Sequence, residues 1–90
     1  MKKVMVLDDE QMILDSWIDL FRIWNLDVEV HTATNGQEGL KLLRDNGKYD
    51  LIISDYKMPV MNGLDFIKVI RTTDMKTPIF FFTGYLPELA

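Results

Sequence analysis

Three short apolar runs, each ending on polar side chains, constrain this chain more than any other feature. Val4-Met5-Val6-Leu7 leads into Asp8-Asp9, Leu51-Ile52-Ile53-Ser54 into Asp55, and Ile79-Phe80-Phe81-Phe82 into Thr83. Apolar runs without polar alternation suit strands covered on both faces, as in a parallel sheet. Segments of helical period lie between them. Ile13, Leu14, Trp17, Ile18, Phe21 and Trp24 recur at helical spacing from Gln11 to Trp24, after Asp9 or Glu10 as a start and before Asn25 as an end. Leu40 and Leu43 mark the inner side of a short helix from Gln37 to Asn46, closed by Gly47. Phe66, Ile67 and Ile70 do the same from Leu64 to Thr72. Val28 to Ala33 alternates apolar and polar, which predicts a strand with one exposed face, at a sheet edge. Tyr49 to Ser54 and Ile79 to Phe82 are the remaining strands, and Pro87 is placed to open one more helix. Asn35-Gly36 reads as a turn, and 55–63 as a loop broken by Pro59 and Asn62-Gly63.

The order β-α-β-α-β-α-β implies an α/β, doubly wound parallel sheet with helices on both faces. Ligands of such sheets bind beyond the C-terminal strand ends, near the point where strand order reverses. Asp8, Asp9, Asp55 and Thr83 are all expected there. Taken singly, each is an ordinary cap or turn residue; the signal is their joint occurrence. Three carboxylates brought together repel one another, and a hard divalent cation relieves the repulsion. Mg2+ suits an all-oxygen set of one or two carboxylates plus phosphate. One histidine and no cysteine make a poor zinc site. An aspartate beside such an ion is equipped to attack phosphorus and form an acyl phosphate, with the Thr83 hydroxyl bonding a phosphoryl oxygen.

Ninety residues make one domain, and 48% hydrophobic content suffices for a core. Fourteen acidic against ten basic residues give a net charge of −4, which argues against direct nucleic-acid binding. The absence of cysteine excludes disulfides and suits a reducing compartment. The basic, apolar start is cut off by Asp8-Asp9-Glu10, too early for a signal peptide, and no run approaches a membrane span. A cytoplasmic chain is expected.

Three segments resemble the receiver domain of two-component response regulators. They are Val4-Met5-Val6-Leu7-Asp8-Asp9-Glu10, the run from Asp50 through Asp55-Tyr56-Lys57-Met58-Pro59-Val60-Met61-Asn62-Gly63, and Pro78-Ile79-Phe80-Phe81-Phe82-Thr83-Gly84. The middle segment is the most specific, and Asn35-Gly36-Gln37-Glu38-Gly39-Leu40 is similar to the entry of the family's second helix. The resemblance covers residues 1–90. It implies a flavodoxin-like sheet and a phosphorelay module that takes a phosphoryl group from a histidine kinase or phosphotransfer protein. Asp55 is then the phosphoacceptor. Asp9 binds Mg2+ with Asp8 assisting, and Asp55 and the backbone carbonyl of Lys57 complete the protein ligands. Thr83 is the switch hydroxyl, and Pro59 and Gly63 shape the loop.

The family continues with a fifth strand and helix, which Ala90 precedes; on this reading the receiver is C-terminally truncated, its last strand and helix absent. The family's fifth-strand lysine has no counterpart, since Lys57, Lys68 and Lys76 fall in other elements. Weaker electrostatic stabilisation and slower phosphoryl transfer are expected. An apolar fourth strand without an outer neighbour is a template for association, so a homo-oligomer through that strand is expected. The alternative function is a non-phosphorylated pseudo-receiver that binds proteins or self-assembles. An aspartate-nucleophile phosphatase ranks lower, because Lys57 stands where its acid/base aspartate belongs. Trp17, Phe21 and Trp24 are expected to pack on a helix face, His31 to be solvated, and the six methionines to fill the core.

Overall fold

In a computed structural model, which describes residues 1–82, the elements run β1 (Lys2–Leu7), α1 (Gln11–Ile23), β2 (Val28–Ala33), α2 (Gly36–Asn46), β3 (Leu51–Asp55), α3 (Gly63–Ile70) and β4 (Ile79–Phe82). The four strands form one parallel sheet in the order β2-β1-β3-β4. Strand order therefore reverses between β1 and β3.

The unbroken apolar run Val4–Leu7 of β1 follows from the strand's central place. Met5 and Leu7 face one side, with Ala33, Ile52, Phe66 and Ile70, under α2 and α3. Val4 and Val6 face the other, with Ile53, Leu14 and Phe21, under α1. Helices thus cover both faces, as the alternation predicts. Gly39 of α2 lies so close to the sheet that a Cβ there would stand 2.7 Å from both Leu7 Cδ2 and Phe66 Cε1.

Polar side chains start the second and third helices. Asn35 caps α2 by accepting from the Glu38 amide at 2.9 Å, and Glu38 reaches back to the Thr34 amide at 2.7 Å. Asn62 caps α3 by accepting from the Asp65 amide at 2.9 Å. Asn35-Gly36 and Asn62-Gly63 are therefore helix starts, where the sequence suggested a turn and a loop.

Four expectations need correction. His31 is half-buried, with side-chain exposure of 20%: its Nδ1 is 2.5 Å from the Tyr49 hydroxyl and its Nε2 is 2.6 Å from Glu29 Oε2. Tyr49 precedes β3 rather than opening it, because its ring turns into the core beside His31. Trp24 lies past the last turn of α1 and is exposed, whereas Trp17 packs on Phe21 and Phe82. Among the methionines, Met5 and Met58 are buried, but Met1, Met12 and Met75 project from the surface.

Candidate functional site

β1 and β3 are hydrogen-bonded neighbours, with Leu7 opposite Ser54. The acidic residues after β1 and at the end of β3 therefore emerge side by side at the switch point. One carboxylate oxygen from each of Asp8, Asp9 and Asp55 can be chosen so that all three lie within 4.8 Å of one another. Asp8 is buried, Asp55 half-buried and Asp9 exposed, so the cluster runs from the core to solvent.

Backbone amides orient two of these side chains. The Glu10 amide donates to Asp8 Oδ1 at 2.8 Å, and the Tyr56 amide to Asp55 Oδ1 at 2.7 Å. The Asp8 amide is held in turn by the Ala33 carbonyl at 3.1 Å. Burial pushes the Asp8 carboxyl up from 3.8 to about 6, offset in part by the Glu10 amide bond and reinforced by the charges of Asp55, Asp9 and Glu10. A cation among these oxygens would remove the repulsion. The donor set is all oxygen, which fits Mg2+.

The loop between β3 and α3 is drawn tightly under Asp55. Gly63 donates to the Tyr56 carbonyl at 2.8 Å, and a Cβ on Gly63 would fall 2.0 Å from the Asp55 carbonyl oxygen. Only glycine fits there. Met61 donates to the Pro59 carbonyl at 2.7 Å across Val60, whose φ is 66°: a γ-turn centred on a β-branched residue. The Met61 carbonyl accepts from the Gly36 amide at 2.9 Å, tying the loop to the start of α2. Nothing in the sequence marks Val60 for positive φ, since β-branched residues rarely adopt it. The Tyr56 ring lies edge-on to Phe81 at 5.5 Å.

Of the expected site residues, Asp8, Asp9 and Asp55 come together, and Lys57 follows in the same loop. Thr83 and the helix expected at Pro87 lie outside the described residues. No described helix is long and apolar enough to cross a membrane.

The chain is similar to known proteins in sequence and fold. The family described as "Response regulator receiver domain" matches residues 4–88. The chain is 37% identical over 85 residues to hybrid signal transduction histidine kinase G of Dictyostelium discoideum, covering 91% of this chain and 2% of that protein. It is 30% identical over 88 residues to response regulator SaeR of Staphylococcus aureus, covering 98% of this chain and 37% of that protein. The chain thus spans well under half the length of these curated relatives. Among solved structures, chemotaxis response regulator CheY4 of Vibrio cholerae superposes with a TM-score of 0.83 at 34% identity, covering 97% of this chain and 72% of that one. A receiver domain protein from Clostridium thermocellum gives 0.83 at 32%, covering 94% and 67%. With a family match over nearly its whole length and the acidic cluster at the sheet's switch point, the chain belongs to the response regulator receiver domains.

Proposed function

We propose that the chain is the phosphoacceptor module of a cytoplasmic two-component phosphorelay, with Asp55 as the acceptor and a histidine kinase or phosphotransfer protein as the donor. The observation that carries this reading is the convergence of Asp8, Asp9 and Asp55 from two adjacent strand ends. Asp9 and Asp55 hold Mg2+, Asp8 supports it from its buried position, and the Lys57 backbone carbonyl completes the protein ligands. When bound, Mg2+ neutralises charge on the carboxylates and on the phosphoryl oxygens.

The Asp55 carboxylate is positioned by the Tyr56 amide for in-line attack on phosphorus. An O–P bond forms, the donor's N–P bond breaks, and its imidazole nitrogen leaves with the electron pair and takes a proton from solvent. Thr83, next in the chain after Phe82, supplies the switch hydroxyl; Phe82 stands opposite Asp55 in the sheet. Beryllofluoride with Mg2+ tests the site: it should bind the wild type and not Asp55→Asn. Equal binding by both would overturn the assignment.

A second reading, a pseudo-receiver that acts by binding proteins or its own copies through β4, draws on one observation. Phe80 is 64% exposed and Phe81 37% exposed on that strand. Phe80→Glu should abolish such binding without affecting Mg2+ affinity, and an Asp9→Asn variant should do the reverse.

A further inference from the structure

β2 is an edge strand whose outward backbone has no partner strand among the described residues. Its inward side is defined by two bonds: the Asp27 carbonyl accepts from Lys2 at 3.4 Å and the Ala33 carbonyl from Asp8 at 3.1 Å. Because N–H and C=O groups alternate sides along a strand, the odd-numbered residues turn their backbone to β1. Val28, Val30 and Thr32 turn theirs outward. The Val28 amide already donates to the Leu26 carbonyl at 3.0 Å. That leaves the amides of Val30 and Thr32 and the carbonyls of Val28, Val30 and Thr32 facing outward.

The side chains of this edge are patterned in the same period. Glu29 and His31 lie on the α2 side of the sheet, bonded to each other at 2.6 Å. Val28 and Val30 lie on the α1 side. There they line a groove of about 370 Å³ with Ile18, Phe21, Arg22 and Leu26. Leu26 of this lining is 47% exposed, and Ile23 and Trp24, which follow Arg22 in the chain, are 74% and 60% exposed.

We propose that a second copy of this chain pairs with β2, edge to edge and antiparallel, with Val30 opposite Val30 of the other copy. The sequence is self-complementary in this register. A twofold axis at Val30 sets Glu29 opposite His31 of the other copy, and Val28 opposite Thr32. Val30 and the Val28–Thr32 pairs then face each other with their outward backbone groups, so the Val30 and Thr32 amides of both copies gain carbonyl acceptors. Glu29 and His31 meet at a non-hydrogen-bonded pair, where opposing Cβ atoms come within about 4.5–5.5 Å. A carboxylate there meets an imidazole N–H in place of a like charge. One residue of slip would set Glu29 against Val30 and turn apolar side chains onto the polar side. The grooves of the two copies meet across the axis, with Val28, Val30 and Leu26 among their lining, and two four-stranded sheets join into one. The β4 edge and the acidic cluster take no part.

Concentration-dependent sedimentation of the full chain tests this, with three variants. Wild type should pass from monomer to dimer between micromolar and millimolar protein. Thr32→Pro, which removes an outward amide that the chain's own sheet does not use, should stay monomeric with an unchanged circular dichroism spectrum. The swap Glu29→His with His31→Glu preserves the pairing and should still dimerise. Amide exchange should slow at Val30 and Thr32 as concentration rises. A wild type monomeric throughout the range overturns the proposal. So does a dimer that survives Thr32→Pro, or one lost in Phe80→Glu, which would place the contact on β4.

Discussion

At the scale of single residues, Asp8 carries the site's electrostatic tension. Its carboxyl is buried beside Asp55 and Asp9, and its folded-state value of about 6 lies above the unfolded value of 3.8. Between those values the folded chain binds more protons than the unfolded chain, so stability falls as pH rises. The loss runs through about pH 6. Urea unfolding from pH 4 to 7.5 should show this decline in the wild type and a flatter profile in Asp8→Asn. Added Mg2+ should restore more stability at pH 7.5 than at pH 5, because the ion requires the deprotonated form. Gly63 is the opposite kind of residue, important for what it lacks. Gly63→Ala forces a Cβ against the Asp55 carbonyl, and thermal or urea unfolding should show a loss of more than about 2 kcal/mol.

At the scale of elements, helix starts and the loop between them determine how firmly Asp55 is held. Asn35→Ala and Asn62→Ala should each cost about 1 kcal/mol in urea unfolding, because each leaves an amide of α2 or α3 without its cap. Val60→Gly should instead stabilise by up to about 1 kcal/mol in the same measurement, by relieving the positive φ of the γ-turn. Most elements were legible from periodicity. The strands at Val28–Ala33 and Ile79–Phe82 have the expected ends, and the helices differ by one or two residues. Tyr49 and His31 were not legible. Their mutual bond is a contact between residues 18 apart, and local pattern carries no sign of it. Trp24 was misplaced for a related reason: it keeps the helical spacing but stands at the C-cap of α1, just before Asn25, at φ 53°, turns the chain. The γ-turn at Val60 was hidden because its residue type argues against its conformation.

At the scale of the whole molecule, the parallel sheet is the device that assembles the site. The Asp8-Asp9 pair and Asp55 are separated by more than forty residues in the chain. Pairing of β1 with β3 brings them together at one end of the sheet; the hydrophobic pattern led to the C-terminal strand ends but not to that pairing. The sheet also leaves two edges among the described residues, and they differ in kind. β4 exposes aromatic side chains, whereas β2 carries an alternating, self-complementary pattern. Between those edges lies the proposed chemistry, in which Asp55 takes a phosphoryl group with the help of Mg2+. Incubation with acetyl phosphate and Mg2+, followed by intact-mass measurement, tests it most directly. A single phosphoryl group should be added to the wild type, lost when Mg2+ is chelated and absent from Asp55→Asn. Equal labelling of Asp55→Asn, or no labelling of a folded wild type that binds Mg2+, would contradict it.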